Sequence, residues 1–206
     1  MLIRHRGERP VVDPTAYVAL GATLIGRVKV GPRSRVLSGA VLDSEGSRVE
    51  IGECVIIGEH AVLRATAAGD EDHPVLVDDH VFISPHTTLL GCAVQSAAYI
   101  ATGATVLQGA TVGAGAVVAV SALVHGGTVL PPELFVAPGN IAIGDPATVY
   151  APGDPQLPQA IKEVGFARRA FGVEAAWEDR ESRYRQVTEV RSREFEAHLE
   201  DEVIAE

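Results

Sequence analysis

From Val77 onward the chain repeats every six residues. The blocks VDDHVF and ISPHTT are followed by a five-residue block, LLGCA, and then by VQSAAY, IATGAT, VLQGAT, VGAGAV, VAVSAL and VHGGTV. Each block opens on an aliphatic residue. The fifth place of every six-residue block is small or β-branched: Val81, Thr87, Ala98, Ala104, Ala110, Ala116, Ala122 and Thr128. The same register runs upstream from Val18, Leu24, Val30 and Val36, and again from Ile51 and Ile57. A short period held over this length means stacked, similar units rather than an irregular core. A period of six predicts a left-handed parallel β-helix: three blocks close one triangular coil, the aliphatic residues stack inward, and small residues fit the corners. The apolar fraction of 47% with only 5% aromatics suits such a core of small, branched side chains.

Two breaks in the period mark where the coil is interrupted. Leu42 and Ile51 are nine residues apart, so the segment DSEGSRVE is expected to bulge from the coil. Leu63 and Val77 are fourteen apart, which makes RATAAGDEDHPVL a longer loop, and long loops on a repetitive scaffold are where function or assembly is usually placed. The period decays after Leu130. The breaker-rich stretch PGDPQLP then reads as a linker, and IKEVGFARRAFGVEAAW as a short helix interrupted near Gly172. From Glu174 to about Val203 the apolar residues Trp177, Tyr184, Val187, Phe195, Leu199 and Val203 recur at roughly helical spacing, which predicts an amphipathic helix packed on the β-helix or on a neighbouring subunit. The expected organisation is a β-helix domain over 11–150, a linker over 151–158 and a helical segment over 159–206. The fold class is thus an all-β core followed by a long C-terminal α-helix.

Charge and length narrow the function classes. A formal charge of −10 argues against nucleic acid, which calls for a basic surface. No apolar run reaches the length of a membrane span, MLIRHRGERP lacks the apolar core of a signal peptide, and residues 178–206 carry ten acids against five arginines, which disfavours an anionic membrane. Cys54 and Cys92 form neither a disulfide framework nor a CxxC pair. A soluble cytoplasmic protein with free thiols is expected.

The block register, the nine-residue excursion after Leu42, the five-residue step from Leu89 to Val94 and the closing GDPATV resemble the γ-class carbonic anhydrases over roughly residues 11–150. The resemblance implies a homotrimer of β-helices with chemistry at the subunit interfaces. It also implies a zinc or iron ion on three histidines, at positions that here hold Arg64, Pro85 and Leu90. Leucine and proline offer no lone pair, and arginine stays protonated and repels a cation. The family's Arg-Gly-Asp segment is likewise replaced, by Asp43-Ser44-Glu45. Zinc-hydroxide attack on CO2 needs a metal with protein ligands and an open position for water, so this chain is expected to be inactive by that route.

The register places the remaining polar residues. His60 and His86 are each fourth in their blocks, on adjacent coils about 4.8 Å apart. They should stack at a corner that, by the resemblance, faces the neighbouring subunit, and form the start of a displaced divalent-metal site with Glu59 or a partner residue as third ligand. Asp43 and Arg64 share a column and are expected to form an ion pair; both are candidates for substrate binding, with Arg64 also a catalytic candidate as an anion or carboxylate clamp. His125 continues that column two coils beyond Leu90 and is a candidate general base, as is His86. His80 stacks near Cys54, and His73 in GDEDH is expected to be solvated. Tyr99 and Asn140 are candidate interface residues.

Three functions follow. One is a carbonic-anhydrase-like trimer whose interface pocket takes another small molecule. The second is a coenzyme A-dependent acyltransferase using His86 or His125, and the third is a non-catalytic structural or regulatory trimer. The fold alone does not choose among them.

Overall fold

The computed structural model describes residues 1–67 and 72–204. The repeat folds as a parallel β-helix with three faces, each made of strands from successive coils. The first residues of the blocks fall into three inward columns. Leu24, Leu42, Leu63, Leu89, Val106, Val124 and Ala142 stack on one face. Val12, Val30, Ile51, Val77, Val94, Val112 and Leu130 stack on the second. Val18, Val36, Ile57, Ile83, Ile100, Val118 and Val136 stack on the third. The fifth-place residues Ala61, Val81, Thr87, Ala98, Ala104, Ala110, Ala116, Ala122 and Thr128 are buried with them, as the repeat requires.

Sharp corners dictate what stands between the strands. The fourth residue of a block sits in the left-handed region: Cys54 at φ 56°, His60 at 57°, His80 at 60° and His86 at 60°. Asn, Asp and His are enriched there among non-glycine residues, so histidine at three of these corners has a conformational reason before any chemical one. Tight coil stacking fixes another position. A Cβ on Gly58 would lie 2.5 Å from the Pro85 backbone nitrogen one coil on, so only glycine fits.

The C-terminal segment departs from a single long helix. It forms α1 (Leu157–Val164), α2 (Phe166–Phe171), α3 (Arg180–Phe195), a 3-10 turn (Glu196–Glu200) and a short strand (Glu202–Val203). α1 begins inside the stretch expected as linker, with Pro158 in its first turn, where a missing N–H costs nothing. Gly165 and Gly172, at φ 60° and 66°, end α1 and α2, and the Asp179 side chain starts α3 by accepting the Ser182 N–H at 3.1 Å.

The expected apolar stripe is not what α3 buries. Tyr184, Leu199 and Val203 are exposed, while Arg191 and Glu194 turn inward, because the corner beneath them is itself charged and polar. Arg183, also buried, lies 5.0 and 5.1 Å from the Trp177 and Tyr184 rings and donates to the Trp177 carbonyl at 2.9 Å. The last strand pairs antiparallel with Leu2–Arg4, while Thr148–Tyr150 pairs antiparallel with Ile141–Ile143. Residues after the repeat thus cap both edges of one sheet, edges that would otherwise offer unpaired backbone. No helix among the described residues is long and apolar enough to cross a membrane.

Candidate functional site

The nine-residue excursion does not stand out from the coil. Asp43, Ser44, Glu45 and Ser47 are buried, because the 3-10 turn and the end of α3 close over them. Arg64, one coil above Asp43, places its Nε 3.2 Å from Asp43 Oδ2 and 3.6 Å from Glu45 Oε1, which is the ion pair the column predicted. The Phe195 ring lies against Arg64 at 5.5 Å and against Arg191 at 4.3 Å. Arg191 pairs with Glu194 and approaches Glu45 Oε1 at 3.9 Å. The Arg64 guanidinium is therefore engaged by two buried carboxylates.

His198, from the 3-10 turn, completes the cluster. Its Nε2 lies 3.4 Å from Glu45 Oε2 and 3.9 Å from Asp43 Oδ2, and its Nδ1 lies 2.8 Å from Asp201 Oδ2. The other Asp201 oxygen is 2.6 Å from His5 Nδ1, and the His5 and His198 rings stack at 4.3 Å. Burial and the neighbouring Asp43 charge raise the Glu45 pKa. Burial works against a charged His198, but Asp201, Glu45 and Asp43 outweigh it and raise its pKa. For Asp201, burial is outweighed by hydrogen bonds from His198 and His5, and its pKa is lowered. His5, Arg191, His198 and Asp201 carried no sequence signal, since the repeat register ends before the segment that brings the last three here.

The His60 and His86 rings stack as the register required, with centroids 5.3 Å apart and planes 8° from parallel. Both are exposed. As the side chains stand, Glu59 does not join them in a three-donor group among the described residues. Cys54 and His80 share a corner column without forming such a group either. Pro85 and Leu90 occupy, with Arg64, the positions at which the resemblance places histidines. This donor set does not fit the implied ion, since two members have no donor atom and the third is a paired cation.

His125 falls in the Asp43–Arg64–Leu90 column as expected. It is buried, edge-on to Phe166 at 5.5 Å, and lines a cavity of about 650 Å³ with Phe166, Phe171, Trp177 and Arg183. Its Nδ1 accepts the Gly126 N–H at 2.8 Å, so the neutral ring carries its proton on Nε2. Burial holds its pKa below the ordinary 6.5. The unfolded chain then takes up this proton first, and the linked stability is full above pH 6.5 and lost as pH falls through the lowered value. Replacing His125 with asparagine should flatten the stability–pH curve across that window, as measured by urea unfolding. An unchanged slope would show that another group governs it.

His73, expected to be solvated, is buried instead. Its Nε2 lies 3.2 Å from the Arg169 carbonyl, and its backbone bridges to Thr66 at the base of the long loop. Part of that loop, 68–71, lies outside the described residues. Tyr99 is partly exposed, tilted on Phe82 at 5.4 Å, and Asn140 is half-buried.

Comparison with known proteins adds homology to this geometry. No family model matches the chain. It is 32% identical over 112 residues to γ-carbonic anhydrase 1, mitochondrial, of Arabidopsis thaliana, covering 50% of this chain and 41% of that protein. γ-carbonic anhydrase 3, mitochondrial, of the same plant is 36% identical over 112 residues, 50% of this chain and 43% of its own. The chain thus spans less than half the length of these curated relatives. Among solved structures, Francisella novicida UDP-N-acetylglucosamine acyltransferase matches with a TM-score of 0.50 at 16% identity, over 91% of this chain and 87% of that one. At that identity the likeness concerns the fold. Over about half of its length the chain is thus homologous to γ-carbonic anhydrases and γ-carbonic anhydrase-like proteins, which the register, the nine-residue excursion and the five-residue step resemble.

Proposed function

We propose that the chain is the protomer of a homotrimeric, γ-carbonic anhydrase-like protein of the cytoplasm that does not hydrate CO2 through zinc at the family position, and whose subunit boundary accepts a different small molecule. The observation that carries this reading is the Arg64 guanidinium held at 3.2 Å from Asp43, where the resemblance places a ligand histidine. An outward stripe on the third face supports the assembly. Tyr17, Arg35, Ile56, Phe82, Tyr99, Val117 and Phe135 lie in one column, which is apolar and partly or largely exposed from Ile56 to Phe135. An apolar column of this length suits burial against a second copy. His60 and His86 stand at the corner beside it, which puts them at the boundary.

In solution the particle should have three times the 21.6 kDa chain mass by light scattering, and Phe82→Asp with Tyr99→Asp should reduce it to the monomer. After incubation with zinc, CO2 hydration should stay at the uncatalysed rate. Zinc-dependent hydration that disappears on substituting Arg64, or a monomeric wild type, would overturn the reading. The acyltransferase alternative calls for a histidine with a free lone pair facing its acceptor. His125 has its Nδ1 engaged by the Gly126 N–H, which weighs against it as that base. Calorimetry with coenzyme A separates the two: binding near the micromolar range would restore the transferase reading.

A further inference from the structure

Under the 3-10 turn, the Asp43 and Glu45 carboxylates face cations but are not fully satisfied by hydrogen bonds. Asp43 and Glu45 are fully or almost fully buried, at 0% and 2% exposure. No hydrogen bond reaches Asp43 Oδ2 or either carboxylate oxygen of Glu45, although Arg64, Arg191 and His198 stand 3.2–3.9 Å away. Buried acceptors left this way are costly unless a ligand or ion completes them.

His198 is oriented for such a ligand. Its Nδ1 is held by Asp201, which is held in turn by His5, and this turns Nε2 toward the two acids. A carboxylate behind a histidine is the arrangement that fixes the tautomer and aims the far nitrogen at a metal. The spacing agrees. Ligands about 2.05 Å from a tetrahedral ion lie about 3.3 Å from each other. His198 Nε2 stands 3.4 Å from Glu45 Oε2 and 3.9 Å from Asp43 Oδ2, and all three ligand atoms lie within 4.8 Å of one another.

We propose that Asp43, Glu45 and His198 form an intrachain binding site for a divalent transition-metal ion, with Asp201 and His5 as the positioning shell. One nitrogen and two carboxylate groups suit zinc, cobalt or manganese better than calcium or magnesium, whose sites are built from oxygen. Its three ligands are other residues than Arg64, Pro85 and Leu90, although Arg64 lies 3.2 Å from Asp43, and the site also differs from the His60–His86 pair. The competing cations are Arg64, one-third exposed, and Arg191, 3.9 Å from Glu45, and a bound ion would have to displace Arg64 outward. Because His198 lies outside the repeat and both acids lie inside it, the ion would fasten the C-terminal strand to the first coils.

The test uses the full chain after chelator treatment, titrated with Zn(II) by calorimetry and with Co(II) by visible absorption. The expected result is one ion per chain, a rise in melting temperature on loading, and a Co(II) band of a nitrogen–oxygen site. His198→Ala should abolish stoichiometric binding. Asp201→Asn should weaken it roughly 10- to 100-fold. His60→Ala with His86→Ala should leave it unchanged. His198 is partly exposed on a surface turn, so its replacement leaves the β-helix core intact, which a melting curve without metal checks. No stoichiometric binding by the wild type, binding undiminished in His198→Ala, or binding lost with His60 and His86 would each overturn the site.

Discussion

Replacing Leu89 with alanine is expected to lower the unfolding free energy by about 2–5 kcal/mol. Leu89 is fully buried and lies between Leu63 and Val106 in the middle of its inward column. Each coil of this β-helix fills its triangle with one aliphatic residue per face. A deleted side chain therefore leaves a hole that the coils above and below close only by changing their spacing, and the backbone ladder forbids that. The transfer term and the cavity term then add. The control is Leu20, 94% exposed, whose replacement by alanine should shift stability by no more than about 0.5 kcal/mol. Urea unfolding of both variants measures the contrast. A Leu89→Ala loss below about 1 kcal/mol would mean that the core is looser than its burial indicates.

Arg64→Ala is expected to destabilise the chain by about 3 kcal/mol, the lower end of what breaking a buried pair costs, because Arg64 itself is one-third exposed. The loss arises less from a missing attraction than from what stays behind. Asp43 and Glu45 remain buried side by side, with Arg191 at 3.9 Å and His198 at 3.4 Å from Glu45 as the cations nearest it. Adding Glu45→Gln to Arg64→Ala should recover part of the loss, since it removes one of the two stranded charges, and the recovery measures their coupling. If Arg64→Ala alone moves the melting curve by under about 0.5 kcal/mol, the pair is solvated and the cluster is looser than its geometry.

The stacking of His60 on His86 and of Arg64 on Asp43 was legible from residue numbers, because a six-residue period converts sequence position into height and face. The same arithmetic put His125 two coils beyond Leu90, where it lies. It did not show that the Gly126 N–H occupies the His125 Nδ1. Such a bond depends on local corner geometry rather than on register. The helix expected from Glu174 forms over Arg180–Phe195 and stops short of Val203, because the chain beyond Glu200 finds an open sheet edge at Leu2–Arg4 to pair with. Helical spacing of apolar residues does not record that choice.

By itself the sequence determined the coil, its three inward columns and the absence of histidine at Arg64, Pro85 and Leu90. Those follow from a local rule repeated every six residues. Only the tertiary structure decided that the excursion at Asp43–Glu45 is buried and that His198, Asp201 and His5 meet there. These residues are brought together by contacts spanning most of the chain, made by a segment whose own pattern is not periodic with the coil. A repeat fixes neighbours one coil apart, whereas the docking of a non-repeating tail is fixed by which buried charges and open edges it can satisfy.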